Sequence, residues 1–279
     1  MRSSEQATVG DLSVADLLSS STLPTLEARA LLAHQLGVAR EQLIAQPERR
    51  VARADAQNFA QFVAHRQRGE PLAYLLGEKE FYGRMFAVSP AVLIPRPETE
   101  LLVEAALSFG LRDDARVLDL GTGSGCIALT LALERPAWHV TATDSSKEAI
   151  RIARANAEKW QATNLTFRHA SWFAAVPDRF DLIVSNPPYV AVDDPHLGAL
   201  RFEPRAALIA DAEGLASLHA IIDGAPPHLV PGGYLALEHG YDQAASVRNR
   251  LAANSWRDVR TLTDLAGLER VTLGRTSAV

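Results

Sequence analysis

The four residues Asn186-Pro187-Pro188-Tyr189 place an amide, two ring-locked residues and a phenol directly after the apolar run Phe180-Asp181-Leu182-Ile183-Val184-Ser185. The run reads as a buried strand. Two consecutive prolines cannot donate to its ladder, so the strand must end there and the chain must turn. The turn gathers an amide side chain, a backbone carbonyl and an aromatic ring at the edge of a sheet. That grouping suits a planar, nitrogen-bearing group.

A second set of residues, Gly121-Thr122-Gly123-Ser124-Gly125, lies between a predicted strand and a predicted helix. Glycines in such a place let the backbone turn sharply and approach a ligand closely. A dinucleotide loop would prefer a further glycine where Cys126 stands, and a phosphate loop would carry lysine followed by serine or threonine. Neither is present, so a nucleoside fits better than a pyrophosphate. Asp144 ends the next predicted strand, about 20 residues on, where a carboxylate can accept hydrogen bonds from both ribose hydroxyls. Its competing role is to cap the helix that starts at Ser145 or Ser146. Asp119 has two readings also, as the partner of a charged amino-acid moiety or as a hydrogen-bonding scaffold for the glycine loop.

These residues need strand ends to hold them. From Arg116 onward strand and helix alternate: Val117 to Leu120, helix Cys126 to Glu134, strand His139 to Thr143, helix Ser146 to Trp160, strand Leu165 to Arg168, then the strand at Phe180. Such alternation predicts parallel strands with helical crossovers and ligands beyond the carboxyl ends. A helix from Ala216 to His228, the strand Tyr234 to Glu238 opened by Gly232-Gly233, a helix near Gln243 to Ala253 and strands Val259 to Leu262 and Arg270 to Leu273 complete the pattern. Ahead of it, helical spacing of Val14, Leu17 and Leu18, of Leu26, Ala30, Leu31 and Leu36 before Gly37, and an amphipathic stretch from Val51 to Arg68 predict a small helical domain over residues 1–71. Aromatic and β-branched residues with turn signals over residues 72–93 predict a hairpin linker. Pro95 and Pro97 then precede a helix start at Glu98, and the main α/β domain occupies residues 94–279.

The 279 residues are 47% hydrophobic, ordinary for a packed globular protein, and carry a formal net charge of −5. The charge disfavours a protein whose affinity comes from neutralising phosphates, so nucleic acid is not an expected partner. Cys126 is the sole cysteine, which excludes an intrachain disulfide and a cysteine-based metal cluster and suits a reducing cytosol. The polar start, Met1 to Asp11, lacks the apolar core of a signal peptide, and no run of about 18 apolar residues suggests a membrane span. A cytoplasmic protein is expected.

With the loop, Asp144 and the tetrad together, the chain resembles a class I S-adenosylmethionine-dependent methyltransferase. More narrowly it resembles the release-factor glutamine methyltransferases, the HemK/PrmC family. The likeness runs through Gly69 to Gly77, Glu80-Phe81, Leu93-Ile94-Pro95-Arg96-Pro97-Glu98-Thr99-Glu100, Val117 to Gly125, Asn186 to Tyr189, Glu203-Pro204-Arg205-Ala206-Ala207-Leu208 and Gly214-Leu215. The stretch Pro95 to Glu100 narrows the family, because enzymes that methylate adenine or cytosine amino groups share the tetrad. The resemblance implies a Rossmann-like seven-stranded sheet with an N-terminal helical domain that docks the substrate protein. It implies S-adenosylmethionine wrapped by Gly121 to Gly125, with Asp144 on its ribose and Trp172 against its adenine. Where the family commonly has an acidic residue before that aromatic this chain has Ser171, and His239 follows Glu238 where the family tends to an aliphatic.

An amide nitrogen is a poor nucleophile because its lone pair is delocalised. On this resemblance the Asn186 side-chain oxygen and the Pro187 carbonyl accept the two N–H bonds of a substrate glutamine, Pro188 fixes the turn, and Tyr189 packs over the amide. Catalysis is then positioning and electrostatics, in one direct transfer without a dedicated base. Glu98, Thr99, Glu203 and Arg205 read either as parts of the loop around the reacting centre and the protein contact, or as an ion-paired helix start and a surface salt bridge. Asp193, Asp194 and His196 read as a solvated loop, and no metal is expected. The expected substrate is the glutamine of the Gly-Gly-Gln motif of peptide-chain release factors, and the expected state a monomer. A nucleic-acid amino methyltransferase and a non-catalytic nucleoside-binding module are the alternatives.

Overall fold

The computed structural model describes residues 12–174 and 176–277; the polar Met1 to Asp11 stretch lies outside them. Two compact units divide the chain, one ending at Gly77 and the other beginning at Glu78.

The first unit is helical. Its elements are α1 (Val14–Ser20), α2 (Thr25–Leu36), α3 (Arg40–Ala45), α4 (Arg53–Gln67) and α5 (Leu72–Leu76). Ser13 and Asp16 cap α1 reciprocally: the Asp16 N–H donates to Ser13 Oγ at 3.1 Å and the Ser13 N–H to Asp16 Oδ2 at 2.9 Å. Gly37, in the left-handed region at φ 62°, closes α2 where the Leu36-Gly37 pair predicts its end. Val14, Leu31, Leu32 and Phe59 form the buried centre of this unit, each worth roughly 1.5–3 kcal/mol of apolar burial. Contrary to the expected hairpin linker, Leu72 to Leu76 is helical. Pro71 presets the first turn and Gly77, at φ 72°, ends it.

In the second unit a hairpin, β1 (Glu78–Phe81) and β2 (Arg84–Ala87), comes first. A 3₁₀ turn, Pro97–Thr99, runs into α6 (Glu100–Leu107). Then follow β3 (Arg116–Leu120), α7 (Cys126–Glu134), β4 (His139–Asp144), α8 (Lys147–Lys159), β5 (Leu165–His169) and β6 (Phe180–Ser185). The chain continues through α9 (Ala216–Gly224), β7 (Leu229–Glu238), α10 (Ala244–Ala253), β8 (Arg257–Thr263) and β9 (Glu269–Arg275). The helix expected to reach His228 stops at Gly224, because Pro226 and Pro227 confine Pro226–His228 to a 3₁₀ turn.

The seven strands lie in the order β5-β4-β3-β6-β7-β9-β8. Those from β5 to β7 are parallel, and β9 and β8 add antiparallel pairings at one edge. This is the Rossmann-like architecture expected. The central strands are apolar on both faces, as a sheet covered by helices requires: Val117, Leu118 and Leu120 of β3 and Leu182, Ile183 and Val184 of β6 are fully buried. β3 has β4 on one side and β6 on the other, so strand order reverses there. A crevice opens at the carboxyl ends of these strands, the place where open α/β sheets receive ligands.

Candidate active site

Four strand ends deliver the candidate residues. Behind β3 comes the glycine loop, Asp144 ends β4, Asn186 follows β6 and Glu238 ends β7. A cavity of about 310 Å³ opens among them, lined in part by Gly121, Thr122, Gly123, Ser124, Asp144, Trp172, Asn186 and Pro188. Arg96 and Thr99 join it from the turn before α6, and Cys126 and Ile127 from the first turn of α7.

On the β3–β4 side the loop is held by backbone. The Gly121 and Thr122 N–H groups both donate to the Thr143 carbonyl at 2.9 Å. Gly125, at φ 84°, begins α7, and a Cβ there would lie 3.1 Å from that of Ala153, so glycine is required for both its angle and its closeness to α8. Asp144 accepts one loop hydrogen bond on each oxygen, from Gly123 N–H at 2.9 Å and from Ser146 N–H at 2.8 Å. The helix cap itself is Ser146, whose Oγ accepts from Ala149 N–H at 3.2 Å. Each carboxylate oxygen of Asp144 therefore keeps acceptor capacity toward the cavity. Asp119 is fully buried, takes the Thr122 hydroxyl on Oδ2 at 2.6 Å and has no protein partner on Oδ1. Burial pushes its carboxyl up to about 7, against the opposing pull of the Thr122 hydroxyl.

Trp172 stands at the cavity wall with its ring over Gly121: a Cβ on that glycine would be 3.7 Å from the ring. The exposed Ser171 also lines the cavity. Burial drives the Cys126 thiol up to about 12, which keeps it protonated and inert as a nucleophile.

The β6–β7 side is held by side chains from distant parts of the chain. Asn186 Nδ2 donates to Thr99 Oγ1 at 3.1 Å. Tyr189 turns away from the cavity lining and sends its hydroxyl to Glu238 Oε1 at 3.3 Å. Its carbonyl accepts from Gln243 Nε2 at 2.9 Å, and a side chain on Gly214 would collide with that carbonyl. Pro187 is buried beneath the turn. Glu203 clamps the two loops of this side: Oε1 pairs with Arg96 Nη2 at 2.5 Å and Oε2 accepts the Ile94 N–H at 3.1 Å.

Of the four weaker candidates, Thr99 and Glu203 are buried and joined to the site, whereas Glu98 and Arg205 are exposed. Asp194 binds only its own turn, through the His196 N–H at 2.7 Å and ring at 2.9 Å. Among the described residues no group of three or more His, Cys, Asp or Glu could hold a metal. His239 is buried, with one ring nitrogen on the Gly240 carbonyl and the other on Thr272 Oγ1.

Three contributors escaped the sequence reading. Arg96 is one and Glu238 another; the third is Asn156, fully buried on α8. Its Oδ1 accepts from Ala87 N–H at 2.7 Å, and its Nδ2 donates to the Ala87 carbonyl at 3.1 Å and the Ser124 carbonyl at 2.8 Å. It ties the hairpin to the glycine loop. Its position on the apolar face of α8, in step with Ala149, Ile152 and Ala153, was the available signal.

Residues 13–77 match the PrmC N-terminal domain family and residues 97–202 the Methyltransferase small domain family. A release factor glutamine methyltransferase of Bordetella pertussis is 50% identical over 264 residues, covering 93% of this chain and 97% of that protein. The chain belongs to the release factor glutamine methyltransferase family. Another member, from Pseudomonas aeruginosa, is 47% identical over 270 residues, 94% of this chain and 98% of its own length. The fold is shared more widely: the crystal structure of a Pyrococcus furiosus methyltransferase aligns with a TM-score of 0.56 at 20% identity, over 78% of this chain and 99% of that one.

The cavity fits the family's methyl donor, S-adenosylmethionine, on its own chemistry. It offers an aromatic wall for a base, a carboxylate with spare acceptors for a ribose, and beside it a buried carboxylate oxygen lacking a protein partner for an ammonium. No helix among the described residues is long and apolar enough to cross a membrane.

Proposed function

We propose that this chain methylates the side-chain amide nitrogen, N5, of the glutamine in the Gly-Gly-Gln motif of peptide-chain release factors, using S-adenosylmethionine. The observation that carries the reading is one cavity lined by both the glycine loop with Asp144 and by Asn186, in a chain half identical to a protein of that name. When bound, S-adenosylmethionine supplies an electrophilic methyl group on a sulfonium centre. Gly121 to Gly125 wrap the donor, Asp144 accepts from its ribose, Trp172 stacks on its base, and Asp119 receives its ammonium.

Asn186 Oδ1 and the Pro187 carbonyl accept the two N–H bonds of the substrate amide. The amide plane is thereby fixed so that the face carrying the nitrogen lone pair is directed toward the donor side of the cavity. Pro188 holds the turn rigid, and Tyr189 braces it from behind through Glu238. No base is required, because the amide nitrogen becomes strongly acidic only once it has been attacked. Holding the reacting atoms at about 3–3.5 Å supplies several kcal/mol of the barrier reduction.

The helical first unit serves as the docking surface for the release factor. The enzyme acts as a cytoplasmic monomer and needs no nucleic acid, a reading supported by the acidic charge of −5 and the lone buried cysteine. Mass spectrometry of a release factor after incubation with the donor tests the proposal. One added methyl on the glutamine is the expected result; label found only in nucleic acid would overturn it.

A further inference from the structure

We infer that an exposed apolar rim beside the acceptor half, built on Tyr241, Leu265 and Leu268, is a further surface on which the release factor docks, and that it receives an apolar patch flanking the Gly-Gly-Gln loop. The inference rests on the substrate proposed above.

Large apolar side chains are exposed at one end only of the second unit. Among its described residues these are Val192, Tyr241, Leu265 and Leu268, at 53%, 61%, full and 40% exposure. Val192 follows β6, Tyr241 follows β7, and Leu265 and Leu268 lie in the turn between β8 and β9. Because β9 runs antiparallel to β7, with Val271 opposite Glu238, that turn stands at the end of the sheet that carries Asn186. A scattered exposed leucine needs no explanation. A gathering of them at the mouth of a site marks an interaction surface.

The turn is built to hold its leucines still. Asp264 Oδ1 accepts from the Ala266 and Leu268 N–H groups, each at 2.9 Å, and Oδ2 accepts from Arg270 Nε at 3.0 Å. The Asp264 N–H donates to the Leu268 carbonyl at 2.8 Å, and Gly267 supplies a left-handed residue at φ 78°. The Arg270 guanidinium lies 5.7 Å from the centre of the Tyr241 ring. Tyr241 in turn sits in a bend joined to the tetrad: Gln243 Oε1 accepts the Gly240 N–H at 2.9 Å, and its Nε2 donates to the Tyr189 carbonyl at 2.9 Å. Apolar side chains on a backbone already ordered lose less freedom on binding, which favours their use as anchors.

Continuity with the acceptor half decides the occupant. A standard interface buries about 800 Å² on each partner, a disc of roughly 16 Å radius. β7 is one strand from β6 and β9 two, so the rim begins about 5–10 Å to the side of the tetrad at the usual strand spacing. A folded protein whose glutamine has entered the cavity therefore covers Tyr241 and the β8–β9 turn. A second copy of this chain seated there would stand over the mouth that the substrate has to enter.

The test compares two double variants with the wild type on a purified release factor: Leu265→Ser with Leu268→Ser, and Leu265→Met with Leu268→Met. The serine pair is expected to raise the release-factor KM by roughly 10–100-fold while kcat and donor KM stay within about twofold. The methionine pair keeps the apolar surface and should stay within about threefold of wild type throughout. Both pairs replace solvent-facing side chains, so melting temperatures should stay within about 2 °C of wild type. A serine pair with a release-factor KM within about twofold of wild type overturns the rim, as does a methionine pair equally impaired. A second readout needs no turnover: the photoreactive variant Leu265→benzoylphenylalanine is expected to cross-link to the release factor on irradiation. Cross-links formed only between copies of the enzyme, or none, also overturn the inference. A wild type that leaves the release factor unmethylated counts against the proposed function, and the cross-link still decides the rim.

Discussion

The two halves of the cavity are built in opposite ways. On the β3–β4 side the decisive contacts are short in sequence: Thr122 to Asp119 three residues away, Ser146 to Asp144 two, Gly123 to Asp144 twenty-one. On the β6–β7 side they are long: Asn186 to Thr99 spans 87 residues, Tyr189 to Glu238 49, and Arg96 to Glu203 107. The donor half is a local device of backbone N–H groups and glycine angles that one strand-loop-helix unit can make. The acceptor half exists only when four separate segments have met. A site that must hold a common cofactor can be local, whereas one that must orient a particular amide needs side chains set at fixed angles from several directions.

The largest effect should come from the acceptor half. Asn186→Ala is expected to lower kcat by about 10³-fold or more, as loss of a preorganised transition-state contact does, while donor binding measured by calorimetry stays near wild type. Near-normal turnover would erase the division between the halves. Asn156→Leu tests a long tether on the donor side. It leaves the Ala87 N–H and the Ala87 and Ser124 carbonyls without their buried partner, and should cost about 3 kcal/mol in urea unfolding. A cost under about 1 kcal/mol would show that the glycine loop is self-sufficient.

The same contrast explains what was legible before folding. The glycine loop, Asp144 and the tetrad could be read because each announces itself within a few residues: glycine where the backbone must go left-handed, a carboxylate at a strand end, two prolines that stop a ladder. Arg96, Glu238 and Asn156 carry no such mark. A carboxylate at the end of an apolar strand is ordinary until its partners are known, and the partners of these residues come from 32 or more residues away. The fold was legible through alternation of strand and helix, since burial on both faces dictates an apolar run. The hairpin's start was not, because Leu72 to Leu76 has the apolar and aromatic residues of a strand and is made helical by Pro71 and Gly77.

Glu203→Gln sharpens the comparison by taking charge from the acceptor half while leaving the Ile94 contact possible. Glu203 is buried and Arg96 about a third exposed, so the loss should lie below that of a fully buried pair, at about 1–2 kcal/mol. It should appear chiefly as a roughly tenfold higher KM for the release factor, with the donor KM little changed. Equal loss in both would mean that the clamp serves the whole cavity.

The smallest effect should be a gain. Asp119 belongs to the donor half, and its carboxyl is raised by burial from the usual 3.8 to about 7. A folded-state value above the unfolded one means that the folded chain holds a proton the unfolded chain has released, so stability falls as pH rises from about 4 to about 7. Above that window the donor-free protein keeps a buried, half-satisfied negative charge. An asparagine in its place would keep an oxygen for the Thr122 hydroxyl and carry no charge. Asp119→Asn should therefore raise the melting temperature of the donor-free protein by about 2–4 °C at pH 8 and leave it nearly unchanged at pH 5. Glu238, raised by burial in the same direction, is common to both proteins and cancels from the difference. Excess donor should reverse the order at pH 8, since its ammonium pairs with the carboxylate and not with the amide. If Asp119→Asn is less stable than wild type at pH 8 without donor, then the carboxylate supports the glycine loop as scaffold, and the donor half is not held by backbone alone.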